Sequence, residues 1–306
     1  MNLKVQLGKL TLQNPVMVAS GTFGYAREMA AMFDLSRLGA IIPKTVTMTP
    51  REGNKTPRTV ETTAGLLNAI GLDNDGIDRF LIEKLSDLIQ YGSPIIISIA
   101  VKSVEECDLF GEKLRGISGI AAIELNVSCP NVSGGTDFGT DPALCEKIVR
   151  RMRSVTDHFL IVKLTPNVTK IAEVAAAAAR GGADAVSAIN TCLGMSVDWR
   201  NRKPRLANVV GGLSGPAIKP IALRCVYQIY QAFRKNGVKI PIIGIGGIAS
   251  AEDLLEFLVV GASAVQVGTA NFYNPTVALQ IIEQLPQILE ENGIDDVNEL
   301  VGTLKT

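Results

Sequence analysis

Ala122-Ile123-Glu124-Leu125-Asn126-Val127-Ser128-Cys129-Pro130-Asn131-Val132-Ser133-Gly134-Gly135 changes character halfway along. The first half is a short apolar run that reads as a buried strand. The second half turns to amides, hydroxyls, a thiol, a proline and two glycines. A strand that ends this way delivers hydrogen-bonding groups and one nucleophile or base, Cys129, to a single point. Pro130 takes the chain out of regular pairing, and Gly134-Gly135 loosen the next turn. Taken alone, Cys129 reads equally well as a small buried hydrophobe, the usual fate of a free cysteine. The rest of the chain tips the balance.

Seven more apolar runs, at 15–19, 40–47, 94–100, 159–165, 185–191, 240–247 and 264–269, end in polar or glycine-rich caps of the same sort. Between them the spacing predicts helices near 26–35, 76–91, 104–117, 141–155, 169–180, 214–235 and 251–260, with a last one near 276–292. In the second of these, Phe80, Leu81, Leu85, Leu88 and Ile89 have the spacing of one buried face. Strands this continuously aliphatic belong to a sheet covered on both sides. The alternation predicts a single (β/α)8 barrel spanning residues 1–306, with a small hairpin around Val5–Leu12 covering its bottom. A doubly wound sheet would want a GxGxxG turn near the start, and none is there. Two polar excursions, 50–68 and 193–212, read as functional loops over the C-terminal face. The second is basic and holds the only tryptophan, Trp199.

Composition narrows the chemistry. Of 306 residues, 47% are hydrophobic but only 5% aromatic, so the core is aliphatic. Thirty Lys+Arg balance thirty Asp+Glu, which leaves no overall field to draw in nucleic acid or anionic lipid. The five cysteines (Cys107, Cys129, Cys145, Cys192, Cys225) contain no CxxC pair, which argues against a zinc or iron–sulfur site made by this chain alone. No apolar run is long enough to cross a bilayer, and no secretory leader is evident, so a cytoplasmic location is expected. The single histidine, His158, precedes the run at 159–162 and belongs at the end of the barrel that faces away from an active site. Proton abstraction then falls to a carboxylate, a lysine, a tyrosine or a cysteine. Of these, a thiol with an unperturbed pKa of about 8.5 is the base nearest neutrality, and nearby lysines would favour its thiolate.

In a barrel the C-terminal strand ends build the site. Here those ends are Ser20-Gly21, Lys44-Thr45, Ser98, Asn126 with Cys129 and Asn131, Lys163, Asn190-Thr191, Gly246-Gly247 and Gly268-Thr269. Glycine turns after strands seven and eight together point to a bound phosphate, with Ser214-Gly215-Pro216 adding to the cradle. Lys44 and Lys163 at buried strand ends each need an anion. Asp and Glu are scarce at those ends, so the expected partner is a bound anion rather than an internal carboxylate. The amides of Asn68, Asn126, Asn131 and Asn190 suit a planar ligand edged with carbonyl and N–H groups. A carboxylate-driven hydrolase or an enolase-like metal site would look different.

The motifs Asn126-Val127-Ser128-Cys129-Pro130-Asn131, Ala19-Ser20-Gly21-Thr22, Lys44-Thr45, Asn68-Ala69-Ile70-Gly71-Leu72, Asn190-Thr191, Ser214-Gly215-Pro216 and Gly246-Gly247 together resemble the class 1 dihydroorotate dehydrogenases, from about residue 3 to 300. The resemblance implies FMN in the barrel mouth, its phosphate on Gly246-Gly247 and Gly268-Thr269 with Gly215 nearby. It implies that Ser20, Lys44, Thr45, Ser98, Asn126, Lys163 and Ile189 serve the flavin, with Lys163 against its pyrimidine side. Orotate or dihydroorotate would be held by Lys44, Asn68, Ala69, Ile70, Gly71, Leu72, Asn126, Asn131, Asn190 and Thr191. Cys129 would be the base. The loop Asn131–Gly135 with Phe138-Gly139-Thr140 is similar to the NAD-dependent 1B subclass. There a homodimeric core works with a second subunit carrying FAD and a [2Fe–2S] cluster, a heterotetramer in all. A fumarate-dependent 1A enzyme, a dihydropyrimidine dehydrogenase-like flavoenzyme and a non-catalytic phosphate-sugar-binding barrel are the rival readings.

Overall fold

In the computed structural model of the protein, which describes residues 1–127 and 138–305, the eight apolar runs form one closed parallel barrel. The chain starts with an antiparallel hairpin, β1 (Val5–Leu7) and β2 (Leu10–Leu12). At its turn a Cβ on Gly8 would lie 3.0 Å from the ring of Phe159, which opens the fifth barrel strand. The hairpin therefore plugs the bottom, as expected. Barrel strands β3 (Val16–Val18) and β4 (Ala40–Ile41) follow, then an antiparallel pair, β5 (Thr59–Thr62) and β6 (Gly65–Asn68). The barrel continues through β7 (Ile95–Ile99), β8 (Ile120–Asn126), β9 (Phe159–Leu164) and β10 (Ala185–Ala188). After β11 (Cys192–Met195), β12 (Val197–Asp198), β13 (Lys203–Pro204) and β14 (Val210–Ser214), it finishes with β15 (Ile242–Ile245) and β16 (Ala264–Val267). Around the barrel the order is β3-β4-β7-β8-β9-β10-β15-β16, which is the order of the chain.

The helices pack their apolar faces on the outside of the strands. The helix Pro142–Val155 starts where Asp141 accepts a hydrogen bond from the Leu144 N–H and Pro142 occupies the first turn. It buries Cys145, Ile148, Val149 and Met152, each fully buried aliphatic group contributing roughly 1.5–3 kcal/mol. The helix Ala251–Val259 is closed by a capping box between Ser250 and Asp253.

Three local expectations need correction. The helix predicted over 26–35 is only Arg27–Ala30, followed by a 3-10 turn at Leu35–Arg37 that begins where Asp34 accepts from the Ser36 N–H. In the stretch 76–91 a π-turn at Phe80–Lys84 inserts an extra residue and rotates the later face. Leu85 and Leu88 are buried as expected, whereas Leu81 is half-buried and Ile89 is exposed. The two polar excursions are not plain loops. They supply β5, β6, β11 and β14 to a four-stranded antiparallel sheet ordered β11-β14-β6-β5, while β12 and β13 make a separate ribbon.

Helices Pro142–Val155 and Ile171–Gly181 touch through Gly181, where a Cβ would lie 2.8 Å from Val149 Cβ and 2.9 Å from the Glu146 carbonyl oxygen. Gly181→Ala is expected to destabilise the protein by about 1–3 kcal/mol through overpacking, read as a lower urea midpoint with an unchanged slope.

Candidate active site

A cavity of about 870 Å³ opens at the C-terminal ends of the barrel strands. The loop after β3 brings Ser20, Gly21 and Thr22 to it, and the segment after β4 brings Lys44 and Thr45. Asn126 ends β8 opposite Lys163 in register, and Lys163 lies opposite Ser187, so these residues share the inward face of the barrel. Ile189, Asn190 and Thr191 follow β10; Gly246-Gly247 follow β15 and Gly268-Thr269 follow β16. Asn190 Nδ2 reaches Asn126 Oδ1 at 3.4 Å. The four-stranded sheet forms one wall with Thr59, Glu61, Gly65, Leu66, Asn68, Gly212 and Ser214.

The loop carrying Ile70, Gly71 and Leu72 to the cavity is braced from behind. Arg58 bonds Asp73 Oδ2 at 2.6 Å and the Asn54 carbonyl at 2.5 Å, and Arg51 Nε donates to the Gly71 carbonyl at 3.3 Å. Asn74 donates to the Leu72 carbonyl at 2.6 Å while its Oδ1 accepts from the N–H groups of Thr47 and Gly76. Gly71 adopts φ +78°, and a Cβ there would meet the backbone nitrogen of Asn54 at 2.7 Å, so only glycine fits.

At the far side, Gly246 and Gly247 have φ of +129° and +75°. A Cβ on Gly247 would sit 2.7 Å from Lys219 Cβ and 3.0 Å from the Gly215 carbonyl oxygen, which draws the three glycine positions into one tight turn. The helix Ala251–Val259 beyond is capped from within, since Ser250 Oγ accepts from the Asp253 N–H and Asp253 accepts from the N–H groups of Ala249 and Ser250. Lys219 lies 2.6 Å from Asp253 Oδ1 and compensates that carboxylate.

The structure places the expected residues as follows. Those named above line the cavity, but Ser98 and Ala69 stand behind its wall. Ser98 is fully buried and its Oγ lies 3.0 Å from Thr45 Oγ1, which in turn donates to Ser20 Oγ at 3.4 Å. Ala69 is buried with Leu67 and Leu206. Cys129 and Asn131 lie outside the described residues. His158 sits at the start of β9, at the opposite end of the barrel from the cavity.

The expectation for Lys163 is corrected. Its Nζ lies 3.6 Å from Oε1 of Glu124, a carboxylate inside the barrel on β8. Glu124 is mid-strand rather than at a strand end, so the strand ends alone do not point to it, although strand alternation puts it on the same face as Asn126. Lys163 also reaches Ser20 Oγ at 3.5 Å. Glu61, Leu66, Phe272 and Tyr273 line the cavity as well, and no motif in the sequence singles them out.

A (β/α)8 barrel whose mouth brings lysines, amides and glycine turns to one cavity has the architecture of a barrel enzyme. Among the described residues no group of three His, Cys, Asp or Glu side chains could hold a metal ion, and no helix is long and apolar enough to cross a membrane. The chain belongs to the dihydroorotate dehydrogenase family, whose model matches residues 2–289. It is 52% identical over 306 residues to the catalytic subunit of dihydroorotate dehydrogenase B (NAD(+)) of Geotalea uraniireducens, covering 100% of this chain and 99% of that one. The proteins of the same name from Alkaliphilus oremlandii and Thermoanaerobacter sp. are each 50% identical, over 99% and 100% of this chain and 99% of their own lengths.

Burial pushes the thiols of Cys107 and Cys145 up to about 12. Neither forms appreciable thiolate near neutral pH, which leaves both as buried core groups. Iodoacetamide at pH 8 is expected to leave Cys107 and Cys145 unmodified in the folded protein and to alkylate both after denaturation, as read by peptide mass mapping.

Proposed function

We infer that the chain is the catalytic subunit of an NAD-dependent dihydroorotate dehydrogenase, oxidising (S)-dihydroorotate to orotate in pyrimidine biosynthesis. The observation that carries this reading is the single cavity on which Lys44, Lys163, Asn126, Asn190 and both glycine turns converge. That cavity has the volume of a cofactor-and-substrate site. FMN fits the residues present: Gly246, Gly247 and Gly215, where a Cβ would collide with Ala222, Lys219 and Gly65, line the cavity together with Gly268-Thr269 and would offer a phosphate their backbone. Ser20, Thr45, Asn126, Lys163 and Ile189 would hold the ring. Lys163 beside it would stabilise the negative charge of the reduced state. When bound, FMN supplies the two-electron acceptor for the hydride leaving C6 of dihydroorotate.

The chain's own groups do the rest. Lys44 attracts the substrate carboxylate, and Asn68, Asn131, Asn190 and Thr191, with the backbone at Ile70–Leu72, satisfy its amide edges. Ser98 and Ala69 support that wall from behind. Cys129, three residues after the end of β8, takes the C5 proton; loss of that proton and of the C6 hydride balances the oxidation. The misplacement of His158 and the inertness of Cys107 and Cys145 support a base at Cys129.

For the final acceptor we propose NAD⁺, reached through a second subunit carrying FAD and a [2Fe–2S] cluster, bound to a homodimeric core in the cytoplasm. Leu193, Met195, Val197, Trp199, Val209 and Val210 are exposed on and around the paired strands β11 and β14 and the β12–β13 ribbon, an apolar surface that supports such an assembly. Anaerobic titration tests the scheme. The yellow FMN-loaded protein is expected to bleach with dihydroorotate, and NAD⁺ is expected to restore the colour only when the partner subunit is present. Rapid recovery with fumarate alone, or bleaching by dihydrouracil in place of dihydroorotate, would reject it.

Cys129→Ala is expected to bind FMN like the unaltered protein but to reduce it about 10²–10⁴-fold more slowly in stopped flow with dihydroorotate. Fast bleaching in that variant removes Cys129 from the role of base.

A further inference from the structure

Glu124 is fully buried one layer below the cavity floor, two residues before Asn126 on the inward face of β8. Its Oε2 accepts hydrogen bonds from Gln266 Nε2 at 2.6 Å and Ser187 Oγ at 3.0 Å. Those donors come from β16 and β10, so three strands fix the carboxylate. Its Oε1 has no hydrogen-bond partner and stands 3.6 Å from Lys163 Nζ. With one oxygen clamped twice, the other is held toward the ammonium and has little freedom to turn away. If this layer needed only an acceptor for Gln266 and Ser187, a neutral amide would serve without the cost of burying a charge. The charge itself therefore calls for a reason, and the neighbouring ammonium supplies one.

We propose that Glu124 is a positioning residue: it anchors the Lys163 ammonium at the cavity floor, and it acts on the bound flavin through that lysine. This rests on the reading of the cavity as a flavin site. Lys163 is flanked in register by neutral Asn126 and Ser187, and among the described residues the other charged side chains lining the cavity are Lys44 and Glu61. Glu124 is thus the carboxylate in direct contact with it.

The sign of the effect separates this role from a direct one. A carboxylate acting on the flavin by its own field would lower the midpoint potential, and its removal would raise it. A carboxylate acting through the lysine does the reverse, because without its anchor the side chain is no longer held at the cavity floor and the flavin loses a positive neighbour. Midpoint potentials of the FMN-loaded full chain are to be measured for wild type, Glu124→Gln, Lys163→Met and the double variant. Both single variants are expected to fall, and the double variant to lie no lower than Lys163→Met alone. A rise in Glu124→Gln, or additive shifts, overturns the proposal. A second readout needs no flavin: trace acetylation with acetic anhydride at pH 7, mapped by mass spectrometry, is expected to label Lys163 faster in Glu124→Gln, where the amine is no longer held against a carboxylate. An unchanged labelling rate overturns the proposal too. If the wild-type chain takes up no FMN, the flavin reading fails, and the labelling still decides whether Glu124 governs Lys163. Should Glu124→Gln fold poorly, Glu124→Asp shortens the side chain and withdraws the carboxylate from the ammonium while keeping its charge in the layer. Faster Lys163 labelling in it supports the proposal, and a wild-type rate overturns it.

Discussion

The pairing of β16 with β3 closes the sheet and sets the conditions for everything inside it. Val265, Gln266 and Val267 stand opposite Val16, Met17 and Val18, and the pairing extends through the Val265 N–H to the Pro15 carbonyl and the Ala19 N–H to the Val267 carbonyl, both at 2.8 Å. Without that seam the first and last strands would be open edges. With it, inward side chains have nowhere to go but into stacked layers. The loops above then depend on the barrel for their spacing, because each is anchored at a strand end whose neighbours are fixed by register.

One interior layer is not aliphatic. Ser98, Glu124, Ser187 and Gln266 all point inward, and three of them form one hydrogen-bonded network. An apolar filling of the same volume would hold a barrel at least as well, since a buried ion pair seldom adds net stability. Breaking such a pair, in contrast, typically costs about 3–5 kcal/mol. The arrangement makes sense as chemistry placed within a scaffold. The aliphatic outer shell, from Ile97 and Leu125 to Val162 and Val267, supplies the stability that allows it.

Periodicity made the barrel readable because eight buried parallel strands leave eight unbroken aliphatic runs, and a helix with a 3.6-residue face fits between each pair. The strand ends were readable too: Lys44, Asn126, Lys163, Asn190 and the glycine turns all reach the cavity. What stayed hidden depends on partners distant in sequence. Glu124 looks like an ordinary strand residue until β10 and β16 surround it. Strands β5, β6, β11 and β14 are short and rich in glycine and polar residues, so their pairing owes more to each other than to their own propensities. The π-turn at Phe80–Lys84 leaves no compositional mark, yet it moved Ile89 to the surface.

The sheet along the cavity wall joins segments made far apart in time. Asn68 pairs with Gly212, 144 residues later, and Ser214 Oγ reaches back to the Leu66 carbonyl. A ribosome releasing this chain has finished most of the barrel before that wall can exist, and the last cradle strand is later still. The cavity behind that wall is therefore a property of the completed molecule. A cofactor that binds only there acts as a late clamp, drawing the folding equilibrium forward by mass action after every strand is in place.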